Sequence, residues 1–115
     1  TKCGAVKGAC DHVELGNLTA LLSKLRPAVD DEIATRGERN SKNSEFVENV
    51  ATINVHRTVN AILERSYILH EMIENGEIGI CGAMYNVETG VVDFYGDTVN
   101  VKKDKKELVT DGSLL

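Results

Sequence analysis

The sequence predicts an α/β chain in which helices precede a C-terminal β-hairpin. Two observations carry this prediction. Apolar residues recur with helical spacing from residue 18 to residue 73, and the pattern then changes to short, apolar, β-rich runs. The segment NVETG between these runs is typical of a turn, so residues 77–96 are predicted to form the hairpin. A strand as apolar as 78–85 is usually covered on both faces and flanked by further strands, which the rest of the chain does not supply.

The first part of the chain is predicted to contain two helices and a polar connection. Residues 1–15 are interpreted as a turn that leads into a short helix. A second helix follows, with Asn17 as its N-cap and with Pro27 as the residue that ends or bends it. Residues 28–43 are polar and are expected to form an exposed connection. The second helix has an apolar stripe at positions i, i+3, i+4 and i+7, which consists of Leu18, Leu21, Leu22 and Leu25.

Two further helices are predicted before the hairpin. The first begins near Ser44, with Asn43 or Ser44 as its cap. Ser66 is the predicted N-cap of the second, which spans residues 67–75. Gly76 follows directly and is expected to be the glycine that ends this helix.

Length and composition limit the organisation of the chain and its partners. A chain of 115 residues forms one domain at most, which we place at residues 1–96, with residues 97–115 as a weakly structured tail. The net charge of −5 and the aromatic content of 4% argue against binding to nucleic acid or to an anionic membrane surface. No apolar run approaches the ~20 residues that span a bilayer. Three cysteines, an odd number, do not suggest a disulfide scaffold, so we expect a cytoplasmic protein with reduced thiols.

The cysteines differ in what their positions suggest. A thiolate at Cys3, just before a helix, would be stabilised by the first N–H groups and by the helix dipole, which suits a nucleophile and a metal ligand equally well. The alternative is that Cys3 is a small buried side chain that lies near a turn. Cys10 and Cys81 are expected to be core residues, because their neighbours are small or apolar.

The remaining polar candidates do not complete a catalytic site. His12 is close to Cys3 in the sequence, but CGAVKGACDH is not a zinc-binding spacing. His56 and His70 are expected to lie at the solvent-facing side of their helices. By composition and spacing alone, the sequence predicts an α/β chain with one activated thiol.

Four blocks of the sequence resemble the β-class carbonic anhydrases. In that family a strand leads into His-x-x-Cys-Gly, followed by small residues, and the opening stretch TKCGAVKGA is similar from the position just after that histidine. Three later blocks follow in the family's order and carry the resemblance to about residue 96: NLTALLSKLRPAV, NVHRTVNAIL and GEIGICGAMYNVETGVVDF. The resemblance implies the C-terminal part of the family's fold, in which the hairpin completes a mostly parallel sheet.

The resemblance also implies an activity and a site. The family catalyses the reversible hydration of CO2 to bicarbonate with a zinc ion held by two cysteines and a histidine, and its fourth position holds water or, in some members, an aspartate. Cys3 matches the second cysteine ligand. Gly4 matches the glycine whose backbone N–H lies beside the metal-bound oxygen. A homo-oligomer, either a dimer or a tetramer, is expected, since oligomerisation would cover an unpaired apolar strand edge.

The sequence departs from the family pattern at its start. The family's Cys-x-Asp-x-Arg motif and its histidine ligand would precede Thr1, so one zinc ligand of three remains, and the chain alone is expected to be inactive. Two alternatives stay open. The chain could be a split or degenerate family member that serves as a non-catalytic assembly module. It could also be a thiol-based redox or transferase domain that uses Cys3 as nucleophile and Cys10 as the resolving cysteine.

Overall fold

The computed structural model describes residues 2–102. It contains five helices and two strands, namely α1 (Gly4–Cys10), α2 (Gly16–Ser23), α3 (Arg26–Asp31), α4 (Ser44–Arg65), α5 (Tyr67–Glu74), β1 (Ile80–Tyr85) and β2 (Val92–Asn100). The chain divides into two compact units, and the division falls between Asn54 and Val55, inside α4. The mixture of helices and strands agrees with the predicted α/β class.

The N-terminal unit has a core that is formed mainly by small and β-branched side chains. Helices α1, α2 and α3 contact one another. Gly8 permits a close approach, because a Cβ atom there would lie 3.1 Å from Leu22 Cδ1. The buried apolar residues of this unit are Val6, Ala9, Cys10, Leu22, Ala28, Val29, Phe46, Val47, Val50 and Ala51.

Helix α2 begins earlier than predicted and ends before the proline. Its N-cap is Leu15, whose backbone N–H donates to Thr19 Oγ1 at 2.7 Å, so the prediction of Asn17 as the N-cap is wrong. Pro27 lies in the first turn of α3. A proline fits there because the N–H groups of a first turn have no acceptor within the helix. Pro27 therefore helps to begin a helix, whereas the sequence had suggested that it ends or bends one.

The apolar stripe of α2 is only partly buried. Leu22 has 5% of its surface exposed, but Leu18 and Leu21 have 38% and 52% exposed. Helical periodicity identifies residues that share a face, whereas their burial depends on which other elements lie against that face. The predicted stripe is therefore present on α2, but Leu18 and Leu21 are exposed while Leu22 is buried.

Side-chain caps fix the starts of α4 and α5 as predicted. Asn43 Oδ1 accepts hydrogen bonds from the backbone N–H groups of Glu45 at 3.1 Å and Phe46 at 3.3 Å. Ser66 Oγ accepts the backbone N–H of Leu69 at 3.2 Å. Each cap satisfies first-turn donors that have no acceptor within the helix.

Gly76 ends α5, as the sequence predicts. Its φ of 76° lies in the left-handed region, which glycine adopts without steric penalty. The N–H of Gly76 donates to Ile73 O at 3.0 Å, and the N–H of Glu77 donates to Met72 O at 2.9 Å. These two bonds form a Schellman motif, which uses carbonyl groups that the last turn would otherwise leave without a partner.

The C-terminal unit contains the predicted hairpin, with a bulge near the end of β2. The strands pair antiparallel, and Gly82 pairs with Tyr95, but the next pair is Ile80 with Asn100. Between these two pairs, β1 has one residue and β2 has four, so the extra residues of β2 form a bulge. Thr98 closes the gap, because its Oγ1 accepts the N–H of Gly82 at 2.7 Å and donates to Tyr95 O at 2.6 Å.

The strand β2 continues beyond the predicted hairpin. It extends to Asn100, which pairs with Ile80, so residues 97–100 belong to β2. Residues 103–115 of the predicted tail lie outside the described residues, and the predicted domain limits of 1–96 and 97–115 stay a prediction.

The sheet within residues 2–102 has two antiparallel strands, so the mostly parallel sheet also stays a prediction. None of the helices in these residues is long and apolar enough to cross a membrane.

Gly82 brings β1 into close contact with α4. A Cβ atom at this position would lie 2.5 Å from Val55 Cγ1 and 3.4 Å from Val59 Cγ2. Val59 is buried, so one face of the hairpin packs against the C-terminal part of α4. Glycine is required here by the short distance between strand and helix.

Candidate metal site

Cys3 lies at the start of α1 with an exposed side chain. It is the N-cap residue in extended conformation (φ −65°, ψ 118°), and its carbonyl accepts the N–H of Lys7 at 3.1 Å as the first helical hydrogen bond. The side chain of Cys3 makes no capping hydrogen bond to this helix. A ligand that approaches Cys3 therefore meets the end of the helix that carries partial positive charge.

Gly4 is the first residue of α1, and the packing of the described chain does not require a glycine there. A Cβ atom at Gly4 would meet no atom of that part of the chain within 4 Å. Glycine inside a helix is less favourable than alanine by about 0.5–1 kcal/mol. A reason for glycine at this position therefore has to come from something other than the observed fold.

The other two cysteines are less accessible than Cys3. Cys10 is fully buried, as predicted, and burial raises the pKa of its thiol, with a further rise from the neighbouring Asp11 carboxylate. Cys81 is half-buried, so the expectation of a core position is met only in part. Within residues 2–102 none of the three cysteines is in a disulfide.

Cys10 and His12 cannot act together with Cys3 in the folded chain. They lie at the opposite end of α1 from Cys3, and a rise of 1.5 Å per residue separates Cys3 from Cys10 by about 10 Å. Two ligands of one zinc ion each lie within about 2.3 Å of the metal, and a disulfide needs Cα atoms closer than about 7 Å. The geometry therefore argues against a redox pair of Cys3 and Cys10.

His12 ends α1. It has a φ of 56°, and among non-glycine residues of the described chain it alone has a positive φ. Its N–H donates to Ala9 O at 3.1 Å, and the N–H of Val13 donates to Gly8 O at 3.0 Å, which is the Schellman pattern with histidine where glycine is usual. Because histidine is unusual at this position, its residue type does not predict this role.

His56 is held in the C-terminal unit. Its Nε2 lies 2.9 Å from Asp97 Oδ2 in the β2 bulge, and its ring centroid lies 5.2 Å from that of Tyr95. One third of its side chain is exposed. The expectation of a solvent-facing histidine is therefore only partly met, whereas His70 is exposed as predicted.

Glu32 is a buried carboxylate inside the segment that was expected to be an exposed connection. Only 2% of it is exposed. Oε1 accepts the backbone N–H of Thr35 at 3.0 Å and Arg39 Nη1 at 3.3 Å, and Oε2 accepts Thr35 Oγ1 at 2.5 Å and Asn49 Nδ2 at 3.1 Å. Burial by itself would raise the pKa of Glu32. The hydrogen bonds to the carboxylate outweigh this effect and lower the pKa from 4.5 to about 2. This carboxylate connects the 32–39 segment to α4.

Arg39 completes the same cluster. Its guanidinium carbon lies 4.6 Å from the centroid of the Phe46 ring, and its Nη atoms donate to the carbonyls of Thr35 at 2.9 Å and Val29 at 3.1 Å. The positive charge therefore faces both a carboxylate and an aromatic ring. These contacts organise the connection between α3 and α4, although its sequence is polar throughout.

We expect Glu32→Gln to destabilise the chain by about 2 kcal/mol near neutral pH, because an amide cannot accept the same set of donors. The pKa of Glu32 is lower than its ordinary 4.5, so its ionised form stabilises the fold above about pH 4.5, and this contribution disappears as the pH falls towards about 2. Urea unfolding across this range should show a pH-dependent loss in the wild type that is reduced in the variant. Glu64→Gln, at an exposed position of α4, is the matched control. Identical pH profiles for Glu32→Gln and the wild type would contradict this role.

The fold and the site together define an α/β chain with an accessible thiol at the start of a short helix, which is an arrangement suited to metal binding or nucleophilic chemistry. A family model described as Carbonic anhydrase matches residues 1–92, a range that includes Cys3 and Gly4 and ends at the first residue of β2. The chain belongs to the β-class carbonic anhydrase family. Comparisons with curated proteins and with solved structures gave no match.

Proposed function

We propose that this chain carries part of the active site of a zinc-dependent carbonic anhydrase, a lyase that interconverts CO2 and bicarbonate. The observation that supports this proposal is the position of Cys3. Its thiol is exposed at the start of α1, inside the stretch that the family model matches. Zinc binds the thiolate form of cysteine, and the exposed thiol of Cys3 is accessible to a metal ion.

Cys3 can supply one protein ligand of a zinc site, but residues 2–102 do not supply a complete set of ligands. A catalytic zinc needs three protein ligands, and no group of three or more His, Cys, Asp or Glu residues in this range could hold a metal ion. The resemblance implies that the other ligands come from outside the 115 residues. Zinc, when bound, supplies the Lewis acid that activates water near neutral pH.

The N-terminus of α1 gives the chain a second role, in binding the product. The backbone N–H of Gly4 has no acceptor within the helix and can donate to an oxygen of bicarbonate, and the helix dipole favours that negative charge. Because Gly4 has no Cβ atom, the ligand can come close to the backbone. A single donor of this kind contributes about a hundredfold to a thousandfold to a rate when charge develops on the accepted oxygen.

The proposal extends to the rest of the fold and to its surroundings. Strands of the mostly parallel sheet would lie beside β1, whose sequence ICGAMY has neither a charge nor a proline to protect an exposed edge. We also propose a homo-oligomer, either a dimer or a tetramer, and a cytoplasmic location. The odd number of cysteines supports a reducing compartment.

The proposal can be tested by measuring the zinc content and the rate of CO2 hydration of the natural polypeptide that carries these residues. We expect about one zinc ion per chain and zinc-dependent hydration, with activity at least about a hundredfold lower in the isolated 115-residue chain. Absence of both zinc and hydration in the natural polypeptide would favour the non-catalytic assembly module. Full activity of the 115-residue chain alone would contradict the inference that this chain carries only part of the active site.

In the natural polypeptide, we expect Gly4→Ala to lower the rate of CO2 hydration by about tenfold or more and to leave the fold intact. A methyl group at residue 4 meets no described atom within 4 Å, and alanine stabilises a helix by about 0.5–1 kcal/mol relative to glycine. Stopped-flow hydration and urea unfolding measure the two effects. Gly37→Ala is the matched control, because a Cβ there also meets nothing within 4 Å among the described atoms, and Gly37 lies in the connection before α4. Equal hydration rates for both variants would remove Gly4 from the site.

A further inference from the structure

Asp11 lies at the C-terminal end of α1, where the helix itself does not favour a carboxylate. It is the C-cap residue, and the C-terminus of a helix carries partial negative charge, which repels an ionised carboxyl group. The residue is also exposed, so burial does not explain it. The reason for an aspartate at this position therefore lies in a contact outside α1.

Ser41 makes this contact from a position 30 residues further along the chain. Its backbone N–H donates to Asp11 Oδ1 at 2.7 Å, and its hydroxyl donates to Asp11 Oδ2 at 2.6 Å. The hydroxyl first, and then the backbone N–H, hold the pKa of Asp11 below its usual value, so the carboxylate is ionised near neutral pH. Hydrogen bonds to an ionised acceptor are about twice as strong as those between neutral groups.

The turn that contains Ser41 is itself tied to the start of α4. Asn40 Oδ1 accepts the N–H of Lys42 at 2.9 Å, which closes the turn around Ser41. Asn43 caps α4 with its Oδ1 and donates from its Nδ2 to Glu38 O at 2.9 Å. Asp11 is therefore bonded to a part of the connection that has its own hydrogen bonds.

The pair adds directional bonds to a helix whose buried contacts are apolar. The buried side chains of α1 are Val6, Ala9 and Cys10. Apolar burial is not directional, whereas hydrogen bonds have preferred distances and angles. A single α-helix of seven residues moves as one unit, so the position of its C-terminal end also sets the position of its first residue.

We propose that Asp11 and Ser41 are positioning residues, whose hydrogen bonds hold α1 against the connection before α4 and so set the positions of the Cys3 thiol and the Gly4 N–H. The inference rests on the proposed function, because both residues act through Cys3 and Gly4. Eight residues at 1.5 Å each place Asp11 about 12 Å from Cys3, so the pair touches neither metal nor substrate. Residues that orient a metal ligand change metal affinity by about tenfold to a hundredfold.

Amide hydrogen exchange of the natural polypeptide tests whether the pair holds α1. Asp11→Ala removes both acceptors, and Ser41→Ala removes the hydroxyl donor. We expect the N–H of Lys7, which donates to Cys3 O in the first turn, to exchange about three- to tenfold faster in both variants. The N–H of Val50, which is buried in α4, should change by less than about twofold.

Ser23→Ala is the matched control for loss of a serine hydroxyl. The hydroxyl of Ser23 donates to Ala20 O at 2.6 Å within α2, so its removal should leave the exchange of Lys7 unchanged. An equal acceleration at Lys7 and Val50 in the Asp11 and Ser41 variants would show an effect on overall stability alone and would overturn the inference.

Metal competition and cobalt(II) absorption measure the effect at the site. Asp11→Ala should weaken zinc binding by about tenfold and reduce the sulfur-to-metal absorption of the cobalt form. Ser41→Thr keeps both donors and should retain the wild-type affinity and absorption, whereas Ser41→Ala should not. Asp11→Ala/Ser41→Ala should be no weaker than Asp11→Ala, because the hydroxyl has already lost its acceptor.

The two measurements separate this inference from the proposed function. Zinc-dependent hydration in the wild type, with unchanged metal affinity and unchanged Lys7 exchange in Asp11→Ala, would overturn the inference and leave the proposed function intact. A wild type without zinc, with faster Lys7 exchange in the variants, would contradict the proposed function and leave the hold on α1 intact. A Ser41→Thr variant as impaired as Ser41→Ala would overturn the role of the hydroxyl.

Discussion

Gly82→Ala is expected to lower the free energy of unfolding by about 2–3 kcal/mol, because the added methyl group has no space between β1 and α4. The new Cβ would lie 2.5 Å from Val55 Cγ1, a distance at which one of the two has to move. Val55 is β-branched and sits on a helix, so its side chain has essentially one favourable rotamer. The Cβ would also lie 3.3 Å from Thr98 Oγ1, which accepts the N–H of Gly82. Any displacement of β1 therefore also disturbs the bulge.

Urea unfolding of three variants separates this steric effect from the general effect of removing a glycine. Gly96→Ala is the matched control in β2, because a Cβ there meets no described atom within 4 Å, and it should change stability by less than about 0.5 kcal/mol. Val55→Ala removes the clashing methyl groups, so it should restore part of the stability of Gly82→Ala, with a coupling of about 1 kcal/mol or more. Similar stabilities for Gly82→Ala and Gly96→Ala would contradict the close packing of strand and helix.

Cys3→Ser is expected to remove the zinc ion and to lower CO2 hydration by about a thousandfold in the natural polypeptide, if Cys3 is a zinc ligand as proposed. A serine hydroxyl stays protonated near neutral pH and is a much weaker zinc ligand than a thiolate. The fold should not lose stability, because the side chain of residue 3 is exposed and serine is a better N-cap than cysteine. Activity and stability are therefore expected to respond in different directions.

Metal analysis, stopped-flow hydration and urea unfolding of the same preparations measure these effects. Cys81→Ser is the control for loss of a thiol, since Cys81 lies in β1 and should leave zinc content unchanged. Replacement of zinc by cobalt(II) gives a further measurement, because each thiolate ligand adds a sulfur-to-metal absorption band. A Cys3→Ser variant that retains zinc and the full cobalt–thiolate absorption would show that the thiol lies outside the metal site.

The elements predicted correctly are those that depend on short stretches of sequence. The caps at Asn43 and Ser66 and the helix end at Gly76 involve hydrogen bonds between residues no more than five positions apart. Such bonds follow from the side chain or the backbone freedom of one residue, so the residue type is sufficient to predict them. The Cys-Gly motif at the start of the chain likewise depends on order in the sequence, and the family match includes it.

The features that were missed depend on contacts that neither the residue type nor the spacing specifies. Asn17 and Pro27 were misplaced because Thr19 and the turn before α3 set the ends of those helices. Leu18 and Leu21 share a helical face with suitable spacing, yet no element of the described chain buries them. Spacing alone therefore predicted the helix but not its environment.

The sequence by itself determined that helices precede a C-terminal hairpin, the caps at Asn43, Ser66 and Gly76, and the family to which the chain belongs. Only the tertiary structure decided that Glu32 is buried and ionised, that Thr98 fills the bulge, and that His56 is held by Asp97. These contacts join residues 17, 16 and 41 positions apart, through Asn49, Gly82 and Asp97. Periodicity and local propensity contain no information about such pairs, because the chain path that brings them together is set by the packing of the whole unit.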